Sequence, residues 1–352
     1  MNNKKLQFLV PHHKETQDEI SNLLDSIKIQ QQVKMEDIGC IIVDDGPDSI
    51  HLDEDFLRSY PFEIIYKQAP KGGVSATRNA CLDVATADYV MFCDADDMFM
   101  NSCGLYILFR EIENKEFDLL ISTFVEETRD FKTMKPVFVN HDIDFTFVHG
   151  KVLRREFLKD KKIRWNPSLT IHEDSYFNML AFRCAREVKH CQTPFYLWKW
   201  RDSSVCRHDP KYMLKTYNNM IESNTALVNE LKKRGLVDAA CELATQMTFD
   251  SYYTMNKKEW LDQENQEYRK STEKRFSEYY KEFKVLVDLI GEEKRNQIIV
   301  GIKNRMFGEG VMLEKITFDD WIKHISSINM INHQESQIPT AHHTHSVQTK
   351  EG

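Results

Sequence analysis

The run Tyr89-Val90-Met91-Phe92-Cys93 stops abruptly in Asp94-Ala95-Asp96-Asp97. A short apolar run with β-branched and aromatic members reads as a buried strand. Three carboxylates at its end repel one another unless protons, basic groups or a divalent cation neutralise them. Hard oxygen ligands suit Mg²⁺ or Mn²⁺, and a cation held at the mouth of a sheet can grip a diphosphate. The same residues also make a polar turn that caps a following helix. Only other residues converging on the same place can separate the two readings.

Two further strand ends have that character. Leu6 to Val10 is a short apolar strand leading into Pro11-His12, and Cys40 to Val43 is a second, ending in Asp44-Asp45-Gly46. Phe62–Tyr66 and Leu119–Ser122 read as strands as well. Ile20, Leu23, Leu24 and Ile27 recur at helical spacing; Ser75–Ala85 reads as a helix with Ser75 as N-cap, and Cys103–Asn114 as another. Strands alternating with helices predict an α/β fold with a mostly parallel sheet flanked by helices. In such sheets ligands bind beyond the carboxyl ends of the strands. The Pro11, Asp44-Asp45 and Asp94 ends are therefore expected to face one crevice.

With 352 residues there is room for about two domains. Residues 1–208 are expected to form the α/β domain that carries the polar strand ends. Residues 209–332 read as a helical extension for acceptor or oligomer contacts, in which Leu214, Tyr217, Met220 and Ile221 keep helical spacing and Lys257 to Lys284 gives solvated helix faces. Residues 333–352, rich in His, Gln, Ser and Thr, read as a disordered tail, and His342, His343 and His345 belong to that composition. A net charge of -8 gives no broad basic footprint, so DNA is a possible but not a favoured partner. Eight scattered cysteines without a C-x-x-C pair read as reduced. No stretch reaches the ~20 apolar residues of a membrane span, and the start leads into only a short apolar strand, so no secretory signal and a cytoplasmic location are expected.

The residues able to do chemistry each have a plain structural alternative. Asp44 and Asp45 can accept hydrogen bonds from a nucleobase or ribose, or form an Asx-turn. Lys71-Gly72-Gly73-Val74-Ser75-Ala76-Thr77-Arg78-Asn79 pairs a glycine turn with a helix start, which favours a phosphate; Arg78 can equally pair on the surface with Asp83 or Asp88. Glu173-Asp174 opens a helix, as capping alone would have it, or supplies the general base that takes a proton from an attacking hydroxyl. His149-Gly150-Lys151 precedes another helix. Trp198 and Trp200 read as core, whereas Arg207 and His208 can close on a diphosphate and its metal.

In this order the pieces resemble the family-2 glycosyltransferases of the GT-A fold, from about Leu6 to about His208. The resemblance rests on Pro11, on Asp44-Asp45-Gly46, on Gly73-x-Ser75-x-x-Arg78-Asn79, on Asp94-Ala95-Asp96-Asp97 and on Glu173-Asp174. It implies inverting transfer of a sugar from a nucleotide-diphosphate donor, such as a UDP-sugar, to a hydroxyl on a glycan or polymer. It implies roles too: Pro11 and Glu15 at the nucleoside, Asp45 at the base with Asp44 in support, and Gly73 and Arg78 at the donor. Asp94 and Ala95 would stand at ribose or sugar, Asp96 and His208 would hold Mn²⁺ or Mg²⁺, and Asp174 would be the base, with Glu173, His149 and Arg207 beside the acceptor. His12-His13-Lys14 and Gly46-Pro47-Asp48-Ser49 depart from the family pattern. The Gln-x-x-Arg-Trp motif of processive synthases is absent, which implies a non-processive enzyme. Three other readings fit parts of the pattern: nucleotidyl transfer, the same glycosyl chemistry on a modified base of viral DNA, and nucleotide-sugar binding without catalysis.

Overall fold

The computed structural model describes residues 4–130, 132–202, 209, 211–308 and 316–335. The chain divides into two compact units, Met1–Ala239 and Ala240–Gly352. In the first, the elements run β1 (Leu6–His12), α1 (Gln17–Lys28), β2 (Ile38–Asp45), α2 (Glu54–Arg58), β3 (Glu63–Ala69), α3 (Gly73–Val84) and β4 (Tyr89–Phe92). There follow β5 (Met98–Phe99), α4 (Gly104–Asn114), β6 (Leu119–Ser122), β7 (Phe124–Arg129), β8 (Pro136–His141), β9 (Lys151–Arg154) and α5 (Arg155–Asp160). The unit closes with α6 (Glu173–Cys184), β10 (Val188–Cys191), β11 (Tyr196–Trp198) and α7 (Tyr212–Lys233).

A seven-stranded sheet, ordered β10-β6-β9-β4-β1-β2-β3, carries the site. All its pairings are parallel except those of β9, which runs antiparallel between β4 and β6. Parallel strands covered by helices on both faces need apolar residues on both faces. Leu6, Phe8, Leu9 and Val10 of β1, Ile41, Ile42 and Val43 of β2, and Val90, Met91 and Phe92 of β4 are all buried accordingly. The register sets Leu6 against Ile38 and His12 against Asp44, and Leu9 against Phe92. The ends of β1, β2 and β4 therefore open on one edge, as the α/β reading required.

Two expectations change. Ser75 is not the N-cap of α3: it is buried inside the helix, and Gly72 holds the cap position without a side-chain bond. The Asp45 carboxylate, reaching over from β2, accepts the N–H groups of Gly72 (2.8 Å) and Gly73 (3.1 Å) instead. Gly73 has φ +78, a left-handed conformation that glycine adopts without strain. His149-Gly150-Lys151 leads into the strand β9, with the short helix α5 only after it. Because β9 is antiparallel, its start lies at the carboxyl end of β6, with Lys151 opposite Ile121. Gly150 permits that approach, with φ +67 and a position where a Cβ would collide with the Ser122 Oγ.

A second sheet, β5-β11-β7-β8, is mixed. The described residues of the unit Ala240–Gly352 are mainly helical: α8 (Val237–Met255), which starts at the boundary, is followed by α9 (Lys258–Leu261), α10 (Gln266–Leu289), α11 (Glu292–Gly308) and α12 (Phe318–Glu335). There α10 buries Phe276, Tyr279 and Phe283 and leaves its charged face to solvent, and Phe276 packs on Trp321 of α12 at 5.2 Å. None of the seven described cysteines is in a disulfide. Residues 336–352, with His342, His343 and His345, lie outside the described residues.

Candidate active site

The two aspartates that end β2 have different partners. Asp44 is buried; its Oδ1 lies 2.5 Å from the His12 Nδ1 and its Oδ2 accepts the Tyr66 hydroxyl at 2.6 Å. The other ring nitrogen of His12 meets the Glu15 carbonyl at 2.8 Å. Burial opposes charge on this imidazole, but the bonds to Asp44 and Glu15 prevail and hold its pKa above the ordinary value. Burial, reinforced by Asp44, pushes the Tyr66 hydroxyl up to about 12. Asp44 thus stiffens the strand end internally, while half-buried Asp45 holds the glycine turn. Glu15 accepts the His13 N–H through Oε2 and pairs with Arg201 through Oε1 at 3.2 Å. Burial works against its charge, yet these bonds hold its pKa low. Pro11, half-buried, precedes His12 at the end of β1.

Beyond β4 the three carboxylates also differ. Arg78, only 5% exposed, reaches Asp94 at 3.0 Å and Glu173 at 3.1 Å, and its guanidinium lies 4.4 Å from the Trp165 ring. It is therefore a buried bridge between two chain segments, with no pairing to Asp83 or Asp88. Asp96 pairs with Arg201 at 2.8 Å. Asp97 is fully buried, accepting the Tyr196 hydroxyl at 2.7 Å and the Lys199 N–H at 2.9 Å. Burial tends to neutralise Asp94, but Arg78 and His149 overcome it and its pKa falls; burial and the neighbouring acids raise those of Asp96 and Asp97. Ala95 is buried between them.

Asp94, Asp97 and His149 each present a ligand atom, and these atoms lie within 4.8 Å of one another. Two carboxylates and an imidazole at that spacing suit one divalent cation. The donor set fits the group, with His149 in a place not expected of it and Asp96 turned to Arg201. Arg207 and His208 lie outside the described residues.

A cleft of about 830 Å³ opens beside this cluster and brings Arg78, Asp94, His149, Glu173 and Asp174 together. Pro11, Glu15, Asp44, Asp45, Gly73, Ala95 and Asp96 are not among its walls. Asp174 opens α6, and its Oδ1 accepts the Ser175 N–H at 2.7 Å. Burial and then the Glu173 charge push its pKa up to about 7, against the pull of Arg78, the Ser175 N–H and Lys151. A carboxylate of that pKa is suited to general-base work near neutral pH. Lys151 is buried and donates to the Phe147 carbonyl, and Asn178 of α6 donates to the Thr146 and Phe147 carbonyls at 2.8 and 2.9 Å. These bonds tie the loop carrying His149 to the helix carrying Asp174. Neither role is legible in the sequence: His149-Gly150-Lys151 reads there as the approach to a helix, and Asn178 lies within an apolar helix stripe.

The profile of Glycosyl transferase family 2 matches residues 8–183. The chain belongs to that family. Among curated proteins it is 27% identical over 206 residues to an uncharacterized glycosyltransferase, EpsJ, of Bacillus subtilis, covering 53% of this chain and 58% of that protein. It is 26% identical over 196 residues to a poly(ribitol-phosphate) beta-glucosyltransferase of Bacillus spizizenii, covering 52% of this chain but only 30% of the relative. The chain thus spans well under two thirds of either relative. Its fold matches S. aureus TarS 1-349 in complex with UDP-GlcNAc, with a TM-score of 0.59 at 18% identity, over 87% of this chain and 92% of that one. This likeness fixes the α/β GT-A architecture. Among the described residues, no helix is long and apolar enough to cross a membrane.

Proposed function

We propose that this chain transfers a sugar from a UDP-sugar to an acceptor hydroxyl on a glycan or polymer, with inversion at the anomeric carbon. The observation that carries the reading is Asp174, a half-buried carboxyl of pKa about 7 at a helix start, in the same cleft as the Arg78–Asp94 pair. Family membership supports glycosyl transfer, and the UDP-GlcNAc complex of TarS supports the donor class.

Asp174 takes the proton of the acceptor hydroxyl as that oxygen bonds to the anomeric carbon. The bond from that carbon to the diphosphate breaks on the opposite face, UDP departs with its electron pair, and the configuration inverts. Pro11, Glu15 and Asp45 are assigned to the nucleoside end and Gly73 to the donor. Arg78 keeps Asp94 charged and pairs with both Asp94 and Glu173, which holds them in place. Asp94, Asp97 and His149, with Asp96 beside them, would hold Mn²⁺ or Mg²⁺, which when bound offsets charge on the leaving diphosphate. Single transfer rather than processive synthesis is assigned from the missing Gln-x-x-Arg-Trp motif.

Thermal shift with UDP, GDP, CDP and dTDP, each with and without Mn²⁺, tests the donor assignment. UDP with Mn²⁺ is expected to stabilise most, and UDP-sugar turnover is expected to fall by about 10²–10⁴ in Asp174→Asn. A protein that ignores all four nucleotides overturns the reading.

A further inference from the structure

The cleft around Asp174 has both acidic and apolar lining residues. Its described lining carries five carboxylates (Asp94, Glu126, Glu173, Asp174 and Asp209), and Arg78 is the only arginine or lysine among them. That guanidinium is already shared between Asp94 and Glu173. Glu126 is held by His141 at 2.8 Å, and Asp209 by Lys215 at 2.5 Å. No lining ammonium or guanidinium among the described residues is left to receive a phosphate brought by the acceptor, and a polyanion entering here meets like charge.

Part of the lining is apolar. Met213 and Met220, seven residues apart on α7, lie toward the cleft with Tyr212, while Leu214, Tyr217 and Ile221 of the same helix are buried. Met213 stays 45% exposed. The wall is anchored, because the Ser223 hydroxyl of α7 donates to the His172 carbonyl, next to Glu173, at 2.8 Å. Trp198 also lines the cleft. Methionines adapt to irregular apolar shapes, and aromatic rings suit a sugar face.

We infer that the acceptor is an uncharged saccharide hydroxyl joined to an apolar group that lies along Met213 and Met220, and that phosphate-bearing polymers and nucleic acids are refused. This rests on the glycosyl-transfer reading and narrows its acceptor class.

The test is titration calorimetry on the full chain saturated with UDP and Mn²⁺, using octyl β-D-glucoside below its micelle concentration, methyl β-D-glucoside and glycerol 1-phosphate. The octyl glucoside is expected to bind at least about tenfold tighter than the methyl glucoside, since several methylenes leave water. Glycerol 1-phosphate is expected to bind more weakly than either. In Met213→Glu/Met220→Glu the octyl advantage should disappear, with an unchanged circular dichroism spectrum confirming the fold. Equal affinities, tighter binding of glycerol 1-phosphate, or an octyl advantage that survives the double substitution overturns the inference. If UDP binds and the octyl preference is missing, the inference alone fails. If UDP does not bind, the donor reading fails and takes this one with it.

Discussion

Replacing Asp174 by asparagine should destroy activity and stabilise the protein, by an amount that depends on pH in a calculable way. The carboxyl titrates at about 7 in the fold, against an ordinary value of 3.8. Its raised pKa means that the folded state holds the proton more tightly than the unfolded chain does. Ionising Asp174 therefore costs stability as pH rises from about 4 to 7, and the cost is constant above that. The full shift corresponds to about 4 kcal/mol above pH 7 and about 2 kcal/mol at pH 5. Partial solvent contact trims these to about 3 and ~1 kcal/mol. Asparagine removes the charge and keeps an oxygen for the Ser175 N–H. In a unit the size of Met1–Ala239 the gain is roughly 6–12 °C in melting temperature at pH 8 and only about 2–4 °C at pH 5. Calorimetric melts of both proteins between pH 5 and 8 read this directly, and UDP-sugar turnover should fall by about 10²–10⁴. A gain that does not change with pH would refute the electrostatic reasoning, and turnover retained in the variant would refute the role of base.

Arg78→Ala leaves Asp94 and Glu173 without their shared cation and should destabilise by about 3–5 kcal/mol in urea unfolding; UDP affinity should fall with it. Gly150→Ala forces a Cβ against Ser122 at a left-handed φ and should lower stability by about 1–3 kcal/mol, whereas Gly235→Ala, left-handed but with open space around it, should cost less. His12→Gln should lose stability chiefly at low pH: the raised pKa of His12 gives a contribution that is full below about 6.5 and disappears as pH climbs through the folded value. A deficit that grows toward pH 9 would contradict it. EDTA should weaken UDP binding about tenfold or more, and Mn²⁺ should restore it.

Much of this architecture was readable because burial leaves a one-dimensional trace. Strands such as Leu6–His12 and Tyr89–Phe92 are covered on both faces, and so appear as apolar runs, broken in the first only by the buried Gln7, that stop where the sheet meets solvent. The carboxylates follow those stops, which is why Asp44, Asp45 and Asp94 could be placed at one edge. The Lys151–Arg154 strand left no such trace, since four residues with a cation at each end resemble a surface turn. Its antiparallel entry, made possible by Gly150, is what carries His149 to Asp94 and Asp97. Partners left still less. Arg78 finds Glu173 at a separation of 95 residues, and Arg201 finds Asp96 at 105; no periodicity records such a pairing. Ser75 is a case of the same kind: local capping chemistry selected it, but Asp45, arriving from another strand, already satisfied the amides of the turn. A buried carboxylate needs a counter-charge from wherever the fold can supply one. The acidic residues of this site are thus visible in sequence as a type, and the cations that decide which of them stays ionised, and which is free to take a proton, appear only once the chain has closed on itself.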